Sequence, residues 1–251
     1  MSSAETVRLV APAKLTLSLR VVGLRDDGLH LIEAEMVTLD LYDEIRVDPG
    51  DGCVVDGPAA AGLDLGEDNL ASRAMVLAGR TGRLCIHKRI PAGAGLGGGS
   101  ADAAAVLRWA GIDDLDVAAG LGADVPFCVI GGRARVRGIG EVVEPLPHLP
   151  RQFTLLTPAI HSPTPEVYRM WDELGGPGHG SGNDLTDAAL EVTPALAEAR
   201  DRLADATGKP PRLAGSGSTW FVEGAFPGPG LVVAASVPPG WVPPGWVPPE
   251  R

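Results

Sequence analysis

Aromatic side chains are scarce in this chain: 2 Tyr, 4 Phe and 5 Trp among 251 residues. The core must therefore be built mainly from Leu, Val, Ile and Ala. Cysteine is scarcer still. Cys53, Cys85 and Cys128 are odd in number, widely spaced and form no CxxC pair, which argues against a disulfide framework or a zinc site and leaves them as small packing residues. Positive charge is also short, with 21 Lys and Arg against 32 Asp and Glu, a net charge of −11. A broad footprint on nucleic acid or on an anionic membrane needs clustered cations, so neither is expected as a partner. A small anionic ligand remains open to the chain, because main-chain amides bind phosphate without side-chain charge. No apolar run approaches the ~18 residues that span a bilayer. The start, MSSAETVRLVAPAK, lacks the basic-then-apolar pattern of a secretory signal. A cytoplasmic protein is the expectation, with monomer and homodimer both open.

What is present reads as an α+β protein. From Lys14 to Val21, Leu15, Leu17, Leu19 and Val21 alternate with Lys14, Thr16, Ser18 and Arg20. This predicts a strand with the aliphatic set buried and Lys14 and Thr16 on the polar face. A turn at Leu24–Gly28 leads to a second extended stretch, His30 to Leu41. Asp68–Leu77 predicts a helix and Arg83–Ile90 a strand. Further on, a strand is expected over Gln152–Pro158 and a helix opening at Pro163–Pro165. A glycine-rich loop over Gly175–Gly182 follows, then helical segments ending near Gly208 and strands at Trp220–Val222 and Leu231–Val237. The proline-rich tract near Leu146–Pro150 marks a boundary, giving expected units of 1–148 and 149–237. The tail, 238–251, repeats PPGWV. That composition is unsuited to a helix or central strand, so an extended appendage is expected.

The strongest local signal is PAGAGLGGGSADAAAVLRWAG. Pro91 ends the strand, five glycines fall within Gly93–Gly99, and Ser100 offers an N-cap with Asp102 behind it. Ala103, Val106, Leu107 and Ala110 share one helix face, and Gly111 supplies the stop. Strand, glycine loop and helix N-terminus together make an anion site, because the backbone can approach closely and the first-turn amides favour negative charge. The Walker pattern fails, since Gly99 occupies its lysine position. A Rossmann GxGxxG is formally present as Gly93, Gly95 and Gly98, but the acidic stretch Ile112–Val117 follows where a buried strand is wanted.

The tract instead resembles the ATP loop of the GHMP kinases, and other motifs occur in that family's order. Ala11-Pro12-Ala13-Lys14 looks like its N-terminal lysine motif and Arg25-Asp26-Asp27-Gly28-Leu29-His30 like its substrate-side motif. Gly122-Ala123-Asp124-Val125-Pro126-Phe127 is similar to its aspartate motif, and Ala214-Gly215-Ser216-Gly217-Ser218 to its late glycine motif. Gly182-Asn183-Asp184-Leu185 also has a counterpart. The resemblance implies a two-domain GHMP fold, with an N-terminal half like ribosomal protein S5 domain 2, a ferredoxin-like C-terminal half and the active site between them. It implies ATP-dependent phosphorylation of a small-molecule alcohol. ATP, carried with Mg2+, would be held by Pro91, Ala92, Gly93, Ala94, Gly95, Leu96, Gly97, Gly98, Gly99, Ser100 and Ala101. Asp124 would be the base and Lys14 the cation beside it, with His30, Thr164 and Tyr168 on the acceptor; no metal ligands are assigned.

Alone, Asp124 would read first as an N-cap ahead of Pro126, and Ser100 would equally suit an N-cap of its own helix. Two departures touch the acceptor side: Leu29 stands where the family has a stacking Tyr, and Thr16 where it commonly has Asn. The segment from Leu107 to Gly122 is shorter than usual. A kinase for a different alcohol, or a nucleotide-binding relative without activity, are the competing readings.

Overall fold

Two long strands, β1 (Val7–Leu24) and β2 (His30–Asp48), run antiparallel beside each other and organise the computed structural model. It describes residues 6–60, 69–176, 178 and 182–247. Met1–Glu5, Asp68 of the expected first helix, part of the 175–182 loop and the last four tail residues lie outside them. β2 uses its other edge twice. Residues Glu44–Asp48 pair with β4 (Arg83–His87), and Ile32–Val37 pair with β5 (Arg133–Gly138). β3 (Cys53–Asp56) lies parallel to β4, and β6 (Val142–Leu146) closes the other side against β5. Helices α1 (Leu70–Leu77), α2 (Gly98–Ala110), α3 (Leu115–Ala119) and α4 (Val125–Ile130) belong to this half. The second, wholly antiparallel sheet has the order β10 (Val232–Ala235), β7 (Gln152–Leu156), β9 (Trp220–Glu223), β8 (Arg212–Leu213). It is accompanied by α5 (Thr164–Glu173), α6 (Thr186–Val192) and α7 (Leu196–Thr207). The α+β architecture is the expected one.

β1 departs from its expected alternation in a way that matters. Its register against β2 slips between Pro12 and Lys14 and again between Thr16 and Ser18. The first shift is of two residues, with residues 39–41 of β2 opposite Ala13, and the second is of one, with Leu17 the extra residue; at each the side chains of β1 change face. Leu9 and Ala11 therefore join Met36, Leu84 and Val106 in the helix-side core, whereas Ala13, Leu15 and Leu17 join Val37, Leu39, Phe153, Leu155 and Phe221 between the sheets. Leu19 returns to the helix side, with Val21 packed beside it. The aliphatic residues of Leu15–Val21 thus divide between two cores rather than sharing one. Between the slips, Lys14 and Thr16 turn inward and are 5% and 1% exposed. Their polar face is a cleft wall, not a solvated surface.

Helix starts also differ from expectation. Asn69 caps α1, its side chain accepting from the amides of Ala71 and Ser72. α2 begins at Gly98, after Gly97 in a left-handed conformation, so Ser100 lies in the first turn and is not the N-cap. Gly111 ends α2 at φ +76°, as expected. Among the cysteines only Cys128 is buried; Cys53 and Cys85 are half-buried, and all three are free. The described part of the tail is no loose appendage. It turns back onto the first half, with Trp241 edge-on to Tyr42 at 5.6 Å and the Arg8 guanidinium 4.9 Å over Trp246.

Candidate active site

The glycine loop alternates in backbone hand. Gly93, Gly95 and Gly97 have φ of +65°, +76° and +68°, while among the described residues no other residue type has a positive φ. Ala94 and Leu96, between them, are buried in the core between the sheets. Their carbonyls are also anchored, Leu96 accepting from the Lys14 amide at 3.0 Å and Ala94 from the Thr219 amide at 3.1 Å. Alternating hand makes successive amides converge on one side, the geometry of an anion nest. It also brings the glycines against neighbours that tolerate no side chain. A Cβ at Gly95 would collide with the Ala214 carbonyl oxygen, and one at Gly97 would lie 2.7 Å from Lys14 Cγ. A Cβ at Gly93 would meet His161 Nδ1 at 2.5 Å. The Ala101 amide closes the first bond of α2, to the Gly97 carbonyl, so the amides of residues 98–100 are those a helix N-terminus leaves without intrahelical partners.

Asp124 stands at the N-cap position of α4, yet its side chain bonds no helix amide. Its Oδ2 lies 3.1 Å from Lys14 Nζ, which also donates to Thr16 Oγ1 at 3.2 Å. Asp124 keeps a third of its side chain exposed while Lys14 is almost fully enclosed. The ion pair therefore points a half-open carboxylate from α4 into a cleft of about 930 Å3.

The facing wall comes from β2 and α5. His30 stacks on Tyr168 at a ring separation of 4.8 Å and a tilt of 27°, and its Nε2 lies 2.9 Å from Asp172 Oδ1. Beside an ionised carboxylate that nitrogen carries the proton and donates, leaving Nδ1 as an acceptor. Burial, and then the Asp124 charge, push the Tyr168 phenol above its ordinary range. Thr164 Oγ1 is 2.7 Å from Ser216 Oγ, and Ser162 donates to the Ser216 carbonyl. These contacts dock the start of α5 on the late glycine motif. Asn183 and Asp184 stitch that motif to β1: the Asn183 amide group donates to the carbonyls of Leu213 and Gly215, and Asp184 Oδ2 accepts from the Val21 amide.

Of the residues singled out in the sequence, Lys14, Asp124, His30, Thr164 and Tyr168 line one cleft with Pro91 to Gly95 and Gly97 to Ser100. Leu96 and Ala101 do not line it; their side chains are in the core. Leu29 lies at the cleft and is 46% exposed. Sequence reasoning missed Asp172, His161 and the buried group of Asp43, Lys88 and Asp102 beneath the loop. A charged residue at the end of an apolar strand, Lys88, was the available signal for the last of these. Among the described residues no group of three or more His, Cys, Asp or Glu could hold a metal ion, and no helix is long and apolar enough to cross a membrane.

Comparison with known proteins gives the family. Residues 69–132 match the family described as GHMP kinases N terminal domain. The chain is 41% identical over 234 residues to the 4-diphosphocytidyl-2-C-methyl-D-erythritol kinase of Paracoccus denitrificans (strain Pd 1222), covering 85% of each. It is 35% identical to the kinase of the same name from Cereibacter sphaeroides (strain ATCC 17025 / ATH 2.4.3), covering 92% of this chain and 95% of that one. A crystal structure of 4-(cytidine 5′-diphospho)-2C-methyl-D-erythritol kinase superposes with a TM-score of 0.70 at 34% identity, covering 86% of this chain and 89% of the other.

Proposed function

Because the chain belongs to the 4-diphosphocytidyl-2-C-methyl-D-erythritol kinases within the GHMP kinases, we propose that it transfers the γ-phosphoryl group of ATP to the 2-hydroxyl of that cytidyl alcohol, a step of non-mevalonate isoprenoid precursor synthesis. The observation that carries this reading is the Lys14–Asp124 pair, 3.1 Å apart, in a cleft walled by the glycine loop on one side and by His30 and Tyr168 on the other.

The roles follow from the chemistry. Asp124 accepts the proton as the acceptor oxygen bonds to phosphorus and the bridge to the β-phosphate breaks, releasing ADP. Lys14, almost fully enclosed, stabilises the charge that builds on the transferring group. The loop Pro91–Ala101 holds the triphosphate through the convergent amides of residues 92–100. Mg2+ carried with ATP would neutralise phosphate charge, and Ser100, at the cleft in the first turn of α2, is the hydroxyl that would stand beside it. His30, with Nδ1 free as an acceptor, and Tyr168, offering a ring face, suit an aminated aromatic base such as cytosine. The catalytic cleft lies between units 1–148 and 149–237, with 238–251 as a tail, in a cytoplasmic enzyme.

The test is Asp124→Asn, which keeps shape and removes the base. Turnover should fall at least a thousandfold while ATP binding by calorimetry stays within about threefold. Retained turnover in the folded variant would remove Asp124 from the mechanism. Assay of the parent against a panel of small alcohols tests the acceptor; an inert cytidyl alcohol beside an active one of another kind would overturn that part.

A further inference from the structure

Beneath the glycine loop sit three buried charges that phosphoryl transfer does not use. Lys88 follows β4 directly, and its Nζ lies 2.5 Å from Asp43 Oδ2 on β2 and 2.7 Å from Asp102 Oδ2 in α2. None of the three side chains is more than 6% exposed. The second Asp43 oxygen accepts from the amides of Arg89 at 2.5 Å and Ile90 at 2.8 Å, whereas Asp102 Oδ1 has no partner. Removing three charges from water is costly, and an unsatisfied oxygen adds to that cost, so the group is a poor device for stability alone.

Its placement suggests another purpose. Lys88 stands at the entry to the loop and Asp102 at its exit, so their ion pair closes residues 89–101 at the base. Asp43 fixes the entry to β2 through two amides. Gly98 rests on this clamp, where a Cβ would lie 3.1 Å from both Lys88 Nζ and Ile90 Cγ2. An ion pair sets distance and direction between its partners in a way that an apolar contact does not.

We propose that Asp43, Lys88 and Asp102 are positioning residues for ATP, a clamp that holds the two ends of the glycine loop so that its amides converge before the nucleotide arrives. The inference rests on the reading of Pro91–Ala101 as the ATP loop. A loop ordered in advance spares the ligand the entropy of ordering it, so loss of the clamp should weaken ATP and leave the acceptor, held on the opposite wall, unaffected.

Steady-state kinetics of Lys88→Met and Asp102→Asn should show KM for ATP raised at least tenfold and KM for the acceptor changed less than twofold. The triple variant Asp43→Asn, Lys88→Met, Asp102→Leu replaces the charges with groups of similar shape. It should melt no earlier than the parent and still show the tenfold rise. A native KM for ATP in any of these folded variants overturns the clamp. Amide hydrogen exchange on the unmodified protein needs no variant. Without ATP, residues 92–99 should exchange more slowly than the exposed turn Asp26–Gly28, and ATP should slow them further. Loop amides as fast as that turn until ATP is added would overturn the clamp and spare the loop reading. ATP that altered no amide in 92–100 would overturn both.

Discussion

The two walls of the cleft, proposed to hold the nucleotide and the acceptor, are built by different means. The nucleotide wall is main chain: glycines of alternating hand, anchored through the Ala94 and Leu96 carbonyls, with Lys14 and the 214–217 loop packed against them. The acceptor wall is side chain: His30 from β2 meets Tyr168 and Asp172 from α5, with Leu29 exposed beside them. A backbone site tolerates almost no substitution at its glycines. A side-chain site retunes one contact at a time. The difference predicts where this protein can change without losing its chemistry.

Gly95→Ala should break the nucleotide wall most severely. The new Cβ would overlap the Ala214 carbonyl, and φ of +76° costs a non-glycine residue roughly 1–2 kcal/mol before any clash. A fall of at least a hundredfold in kcat/KM for ATP is expected; a fall below fivefold would show that the wall yields. On the other side, Tyr168→Ala removes a stacking face worth about 0.5–1.5 kcal/mol. KM for the acceptor should rise roughly two- to tenfold by that arithmetic with KM for ATP unmoved, and a rise in the ATP value instead would mean that the walls are coupled.

The sequence showed these walls unequally, for the same reason. A backbone that must turn left-handed at every second residue leaves glycines in the sequence, so the Gly93–Gly99 tract was legible, as was the break at Pro91. Lys14 and Asp124 were legible through the motifs around them, but Asp124 alone could not be told from a helix cap; only the fold shows that its side chain bonds no helix amide. The pairing of His30 with Asp172 spans 142 residues and leaves no local pattern. The slips in β1 were equally hidden, because Leu15, Leu17 and Leu19 alternate perfectly in sequence. β3, β5, β6 and β8 went unread. Each is short, and its burial is decided by neighbours distant in the chain.

A smaller effect should appear in pH dependence, again on the nucleotide side only. Burial pushes the Asp102 carboxyl up to about 7, with Lys88 opposing and Asp43 reinforcing the rise. Asp43 accepts from three donors, and the two carboxylates beside Lys88 hold its ammonium above the ordinary lysine range. Cys53 and Cys128 also feel the Asp102 charge, but both thiols are shifted upward, away from this range. The folded protein thus holds the Asp102 proton more tightly than the unfolded chain, whose carboxyl titrates at about 3.9. That contribution to stability is complete below about pH 4 and is lost as pH rises through about 7. Urea midpoints measured across the window should fall with pH more steeply in the parent than in Asp102→Asn; equal slopes would mean that Asp102 does not hold the proton. Least of all, Leu29→Tyr adds a ring beside His30 and should lower the acceptor KM by about two- to fivefold, within the worth of one aromatic contact. An unchanged KM would show that Leu29 already serves the acceptor as well.

The frame slips in β1 have a genetic corollary. Exchanging one residue for another there alters one side chain, but deleting the Ala13 codon would move every residue that follows by one place and, because side chains alternate, invert that segment. The ammonium of the lysine would then be driven between the sheets and a leucine presented to the phosphates. Codon loss at this point should therefore be more harmful than any exchange at the same positions.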